Sequence, residues 1–341
     1  MNRSLSHTIA DFAAVAPRIS GSISAISSST IIFLIFRSQP RLSTIYHRIM
    51  FGMSIADIMG STAMALTTLP MPRNDDPFWN NKKYGSYWSD QTKLGNENTC
   101  AAQGFFYATG VIIMFTYNGV LCVYYACAIA FRMNEKDIRK KVEPVLHGLP
   151  LLLGLSPVIP AFMYHFYVPI TNEAWCTLMP QKIESPVLTF YFRYQLPASI
   201  GGLLVVIVIS LCLVIWRVRK TGKLLKKLND NSDIQVEERV TAAHQNTKLI
   251  ISQSLAYIGA LLLTLVFPLV RNMMYRSVGS LKQFTDEDAA LYALLGKFMV
   301  VFMPLQGFFN LIIFLWHKGK SNRERKLEKH YSCMISNLTQ K

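Results

Sequence analysis

The sequence predicts an all-α membrane protein, a bundle of seven spanning helices with its N-terminus outside and its C-terminus in the cytoplasm. Three observations carry this reading. Uncharged runs at 19–36, 101–131, 194–216, 249–270 and 298–316 each approach or exceed the roughly 18 apolar residues of a bilayer span. Two less pure runs, 44–70 and 145–167, bring the count to seven. Lysine and arginine are distributed unevenly between the connections. A chain of 341 residues, 51% of them hydrophobic, has the length of two soluble domains, but soluble domains do not contain five such runs.

The charge asymmetry sets the orientation. With the N-terminus outside, the inner segments 37–48, 132–141, 217–248 and 317–341 hold 23 Lys and Arg, and the outer segments 1–18, 71–99, 168–185 and 271–288 hold ten. Cytoplasmic connections are the ones enriched in these cations. The net charge of +15 then faces an anionic inner leaflet and intracellular partners, with no nucleic acid required. The chain divides into a short extracellular N-terminus (1–18), a seven-span domain (19–316) and a basic cytoplasmic tail (317–341). The polar residues 1–13 argue for an uncleaved first span, and Asn2 begins an Asn-Arg-Ser glycosylation sequon on the outer side.

The first span is diluted by Ser20, Ser22, Ser24, Ser27, Ser28 and Ser29, small residues of the kind that pack helices together. The second carries Asp57, about 16 Å from Tyr46 at 1.5 Å per residue and so near mid-bilayer. A carboxylate there must face the bundle and be paired, coordinated or protonated; it reads as an ion or proton site, a conformational switch, or a structural hydrogen-bond hub. Its expected partners are Ser54, Asn118 of the third span, and Gln306 and Asn310 of the seventh, which lie four apart on one helix face with Gly307 allowing close approach. The outer connection 71–99, with Trp79, Tyr84, Tyr87 and Trp88 among turn residues, reads either as a lid or as a solvated loop.

In this orientation Cys122, Cys127 and Cys212 lie within helices and Cys333 is cytosolic, either lipidated or a plain thiol. Only Cys100 and Cys176 face the oxidising side, and a disulfide between them is expected. Arg193 and Lys297 stand near the outer ends of spans five and seven. They either snorkel or line an electropositive vestibule suited to an anionic small molecule. On the inner side Arg132, Arg139, Lys140, Arg217, Arg219 and Lys220 form a basic surface, and the fifth span continues past the membrane as a basic amphipathic helix. Prolines at 150, 157, 160, 197, 268 and 304 are expected to kink their helices.

Particular motifs then coincide with this topology. "PLQGFFN" at 304–310 is similar to the Gln-Gly-Phe motif of the seventh helix in cyclic-AMP-receptor-like and secretin-like G-protein-coupled receptors. "HGLPL" at 147–151 resembles their helix-four Gly-Trp-Gly-x-Pro element, and "MSIADIMGS" at 53–61 resembles the small-residue and Asp stretch of helix two. The resemblance spans roughly 20–316 and implies an extracellular ligand, a heterotrimeric G protein at the cytoplasmic face, and residence in the bilayer of the plasma membrane. The departures are informative. Tyr125, twenty-five residues after Cys100, stands where rhodopsin-like relatives carry an arginine and secretin-like ones a glutamate, so the inner lock must differ. With about 18 residues before the first span, no large hormone-binding domain is expected there.

Two alternatives come from other classes. A lysine in the seventh helix invites a retinal-binding protein, but Lys297 lies two turns too shallow and span three has no carboxylate as counter-ion. A transporter is disfavoured by the odd helix number and the lack of a repeat. An enzyme fits least, since the seven histidines are scattered and no acid, His or Cys cluster has catalytic or metal spacing; no cofactor and no metal are expected.

Overall fold

A computed structural model describes residues 3–73, 92–169, 174–178, 186–229, 234–278 and 285–320. Seven long helices run through them: α1 (Arg3–Arg37), α2 (Ile45–Ala65), α3 (Glu97–Tyr125), α4 (Glu143–Met163), α5 (Pro186–Asn229), α6 (Ile234–Val278) and α7, which begins as Asp286–Phe302 and continues over 306–320. Six of them are long and apolar enough to cross a membrane. The exception is α2, whose His47, Arg48 and Asp57 lower its hydropathy. It lies against both α1 and α3, and eleven of its 21 residues are buried, so protein rather than lipid surrounds much of it.

The ends are set locally. Asn96 caps α3, its side chain accepting from the Thr99 N–H while the Thr99 hydroxyl accepts from the Asn96 N–H, a reciprocal pairing that satisfies two otherwise orphaned donors. Thr285 and Asp288 do the same for α7. At its other end α3 passes into a π turn, Ala126–Ala130. The connection to α4 contains Arg132 in a left-handed conformation (φ 53°) and a second π turn, Ile138–Val142.

Several expected boundaries shift. The first helix runs back to Arg3 through Pro17, so residues 3–18 are helical. Helices α5 and α6, 44 and 45 residues long, far exceed a bilayer of about 30 Å at 1.5 Å per residue. Both overshoot at the end opposite the disulfide, the side on which a basic extension was expected. The prolines within α4, α5 and α6 are absorbed without ending the helix. Pro304 coincides with a change of helix type, a 3₁₀ turn at Met303–Leu305 in the middle of α7.

Close approach organises the centre. A Cβ on Gly110 of α3 would meet Gly60 N of α2 at 2.4 Å, and one on Gly154 of α4 would meet Ile113 at 2.3 Å. Small residues let spanning helices approach closely and gain dispersion contacts. As a result the apolar window of α3 is 72% buried, against 17% for that of α5. Helix α3 is the axis of the bundle and α5 is mostly lipid-facing.

The disulfide end is closed by an antiparallel hairpin, β1 (Tyr167–Pro169) paired with β2 (Cys176–Leu178). Cys100 is bonded to Cys176 as expected, with Cα atoms 5.5 Å apart. Gln103 anchors the hairpin further: its carbonyl accepts from Cys176 N (3.0 Å), and its amide donates to the Ala63 and Thr67 carbonyls of the α2 end (2.9 and 2.7 Å). Tyr167 lies on Gly104, where any Cβ would strike its ring. Burial pushes the Tyr167 phenol above the ordinary tyrosine range, and its hydroxyl donates to Val158 O (3.4 Å).

Candidate functional site

Asp57 is buried at 3% exposure, as its mid-span position requires. Its hydrogen bonds come from α1: Ser28 Oγ donates to Asp57 Oδ2 at 2.7 Å and Ser24 Oγ at 3.1 Å. The backbone N–H of Gly307 on α7 donates to Ser24 Oγ at 2.8 Å. A Cβ on Gly307 would lie 2.0 Å from Asp57 Oδ2 and 2.2 Å from Ser28 Oγ. Glycine is therefore the residue that lets α7 close over the carboxylate, which joins α1, α2 and α7. An ionised carboxylate near mid-bilayer costs about 3 kcal/mol or more, and two hydroxyl donors offset part of that cost.

The expected partners of Asp57 are distributed differently. Gln306 and Asn310 do share a face, Gln306 Nε2 donating to Asn310 Oδ1 (3.1 Å), but they turn toward α6, where Thr264 Oγ1 donates to Gln306 Oε1 (2.8 Å). Asn118 Nδ2 donates to Met114 O of its own helix (3.1 Å), and its Oδ1 has no partner among the described residues. Ser54 is buried, and among the described residues no hydrogen bond links it to Asp57. The α1 serines, read from sequence as packing surface, are the true donors. Their spacing was a usable signal: Ser20, Ser24 and Ser28 recur every four residues on one face.

A second polar centre lies at the end opposite the disulfide. Tyr125 of α3 donates to Gln253 Oε1 of α6 (3.0 Å), Gln253 Nε2 donates to Tyr46 OH of α2 (2.7 Å), and the Tyr46 and Tyr257 hydroxyls lie 3.3 Å apart. Tyr125, Gln253 and Tyr257 are each 5% exposed or less. Tyr125 thus bridges α3 to α6 through neutral groups. Nearby, Arg48 and Glu143 form a two-pronged ion pair between α2 and α4, with Nη2 to Oε2 at 2.8 Å. Arg48 Nη1 also donates to Leu42 O (2.6 Å), and Arg139 Nη2 donates to Ser43 O (2.5 Å). Arg139 therefore fastens the α1–α2 turn, while Arg132 and Lys140 project from the α3–α4 connection. On α5, Arg219 and Lys220 are exposed and Arg217 is half-buried; Lys220 Nζ sits 5.2 Å over the Trp216 ring.

Toward the disulfide end the core holds polar heads against soft sulfur. Arg271 of α6, 7% exposed, donates from Nη1 to Met299 Sδ (3.5 Å) and lies 4.6 Å over the Tyr292 ring. Tyr107 of α3 donates to Met303 Sδ (3.9 Å) and packs on Trp175, whose fully buried indole N–H has no partner among the described residues. Met299 and Met303, four residues apart on α7, thread between these groups. From sequence Arg271 was counted in an outer loop, because the apolar run stops there. Lys297 is half-buried one turn away on α7. The Arg193 side chain, Asn2, Cys333 and the stretch 74–91 lie outside the described residues.

No protein-family model and no curated protein matches this sequence. The fold matches a crystal structure of squid rhodopsin with a TM-score of 0.62, over 90% of this chain and 77% of that chain, at 12% identity. The likeness is one of fold. With its apolar helices it makes this chain a multi-pass membrane protein of rhodopsin-like architecture.

Proposed function

We propose that the chain is a G-protein-coupled receptor, oriented with the disulfide end outside the plasma membrane and related in type to the cyclic-AMP-receptor-like and secretin-like receptors. The observation that carries the reading is the Tyr125–Gln253 bridge between α3 and α6. A receptor needs two bundle arrangements whose populations a ligand shifts, and a neutral hydrogen-bonded tie at the inner end is a contact that one arrangement makes and the other breaks. The inner surface that opens to the heterotrimeric G protein is bordered by Arg132, Lys140, Arg217, Arg219 and Lys220.

The ligand is an extracellular small molecule rich in hydrogen-bond acceptors, an anion included. The buried Trp175 indole N–H has no partner among the described residues, and Arg271 and Lys297 make this end of the bundle electropositive. Asp57, held by Ser24, Ser28 and Gly307, is the fixed mid-bundle polar group whose charge biases the balance between the two arrangements, and Gln306 with Asn310 ties α7 to α6 beside it.

The test is Tyr125→Phe, which leaves Gln253 Oε1 without its donor. The expected result is basal G-protein activation raised roughly fivefold at unchanged surface expression, the effect of about 1 kcal/mol on a two-state balance. Unchanged basal activity would remove the bridge from the mechanism. A retinal-binding reading is favoured only by the lysine in the seventh helix of a rhodopsin-like fold; visible absorbance after reconstitution with retinal, lost in Lys297→Ala, would establish it.

A further inference from the structure

Between α2 and α3, on the disulfide side, runs a groove of about 640 Å³. Its walls are Ile58, Thr62 and Leu66 of α2 and Ala102 and Phe106 of α3, with Leu94 at the top. From Leu66, at the C-terminal end of α2, to Ile58 it descends about 12 Å, at 1.5 Å per residue, into the leaflet. Leu66, Phe106 and Leu94 are 42%, 48% and 69% exposed, so the groove is open toward the bilayer rather than into the bundle.

The polar groups in its floor are already committed. Both Gln103 amide protons go to the Ala63 and Thr67 carbonyls, and Thr99 Oγ1 donates to Pro70 O (2.8 Å). The body of the groove is largely apolar, although it contains the Gln103 amide and the hydroxyls of Thr62 and Thr99. Its upper rim carries charge. Arg73 is exposed and is held beside Leu94 by a hydrogen bond from its Nε to Lys93 O (3.2 Å). Glu97, three residues after Leu94, faces His165 (3.4 Å).

We propose that this groove binds a glycerophospholipid of the surrounding leaflet, with one acyl chain along α2 and α3 and the phosphate at Arg73. An apolar slot at hydrocarbon depth below a cation at the interface complements an acyl chain below a phosphate. Guanidinium pairs with phosphate through strong charge-assisted hydrogen bonds. A sterol would offer only a neutral hydroxyl to the same cation, with no phosphate to pair with the guanidinium.

The experiment uses the full chain in nanodiscs of phosphatidylcholine containing a trace of a phosphatidylcholine with a photoactivatable acyl chain, and maps the cross-links by mass spectrometry. Peptides covering 58–70 and 94–106 should label several-fold more than the lipid face of α5 at Val205, Val208 and Ile209, which samples annular lipid. Thr62→Trp should abolish the excess by filling the slot. Arg73→Gln, which leaves the slot intact, should lower it roughly fivefold through loss of a charge-assisted hydrogen bond. Labelling equal to that of α5 would mean annular lipid only, and preferential labelling by a photoactivatable sterol would identify a different occupant. Either result overturns the proposal, as does an Arg73→Gln protein that labels like the parent.

Discussion

The two buried polar centres differ in how they hold helices together. Around Asp57 the partners are short and the backbones are close: two serine hydroxyls and a glycine N–H bring α1, α2 and α7 together around one carboxylate. Around Gln253 the partners are long, and three tyrosines reach across from α2, α3 and α6 with no ionisable group of low pKa and no glycine contact among them. The first centre is fixed by sterics, so separating its helices exposes a carboxylate to hydrocarbon. The second is fixed only by hydrogen bonds worth about 1 kcal/mol each. A bundle built this way has a rigid middle on the α1–α2–α7 side and a breakable tie at the end of α6.

The contrast breaks most directly at Gly307. Gly307→Ala forces its methyl into Asp57 and Ser28 and should cost about 3 kcal/mol, seen as a marked loss of surface expression and of thermal stability in detergent. A stable, fully expressed variant would show that the middle is not sterically fixed. Gln253→Leu, which removes both bridging hydrogen bonds at once, should leave expression near normal and raise basal G-protein activation by about tenfold, or about 1.4 kcal/mol. If it instead lowers stability as Gly307→Ala does, the two centres are of one kind.

Asp57→Asn keeps the shape and an acceptor for Ser28 while removing the cost of a buried charge. Surface expression should be preserved while the ratio of basal to ligand-driven signalling changes; identical signalling would reduce Asp57 to a packing group. The smallest effect is expected from Ser24→Ala, about 0.6 kcal/mol in line with hydrogen bonds measured between spanning helices. A double-mutant cycle with Asp57→Asn should recover that coupling in thermal-denaturation midpoints.

The sequence was legible where one helix alone carries the information. Length and hydropathy placed the seven helices, the expected pairing of Cys100 with Cys176 is the bond observed, and a lone carboxylate marked Asp57. Partnerships between helices were less legible, because they depend on how each helix is rotated about its axis and on its depth against its neighbours. Asp57 was paired with Asn118, Gln306 and Asn310 on depth alone, whereas rotation gives it Ser24 and Ser28 and turns Gln306 toward Thr264. Tyr125 was recognised as a departure from an ionic pattern, but its partner Gln253 lies 128 residues away and carries no charge to betray the pairing. Arg271 was lost for a simpler reason: a hydropathy reading ends a span at its first cation, and the helix does not.

The modest hydropathy of α2 bears on how the chain is made. A segment containing Arg48 and Asp57 enters a bilayer poorly by itself, yet it emerges from the ribosome long before α7 exists to cover it. Its hydrogen-bond donors come from α1, a helix synthesised before it. Ser24 and Ser28 are therefore available to chaperone the carboxylate during insertion, and Gly307, arriving last, seals a site that its predecessors have already assembled.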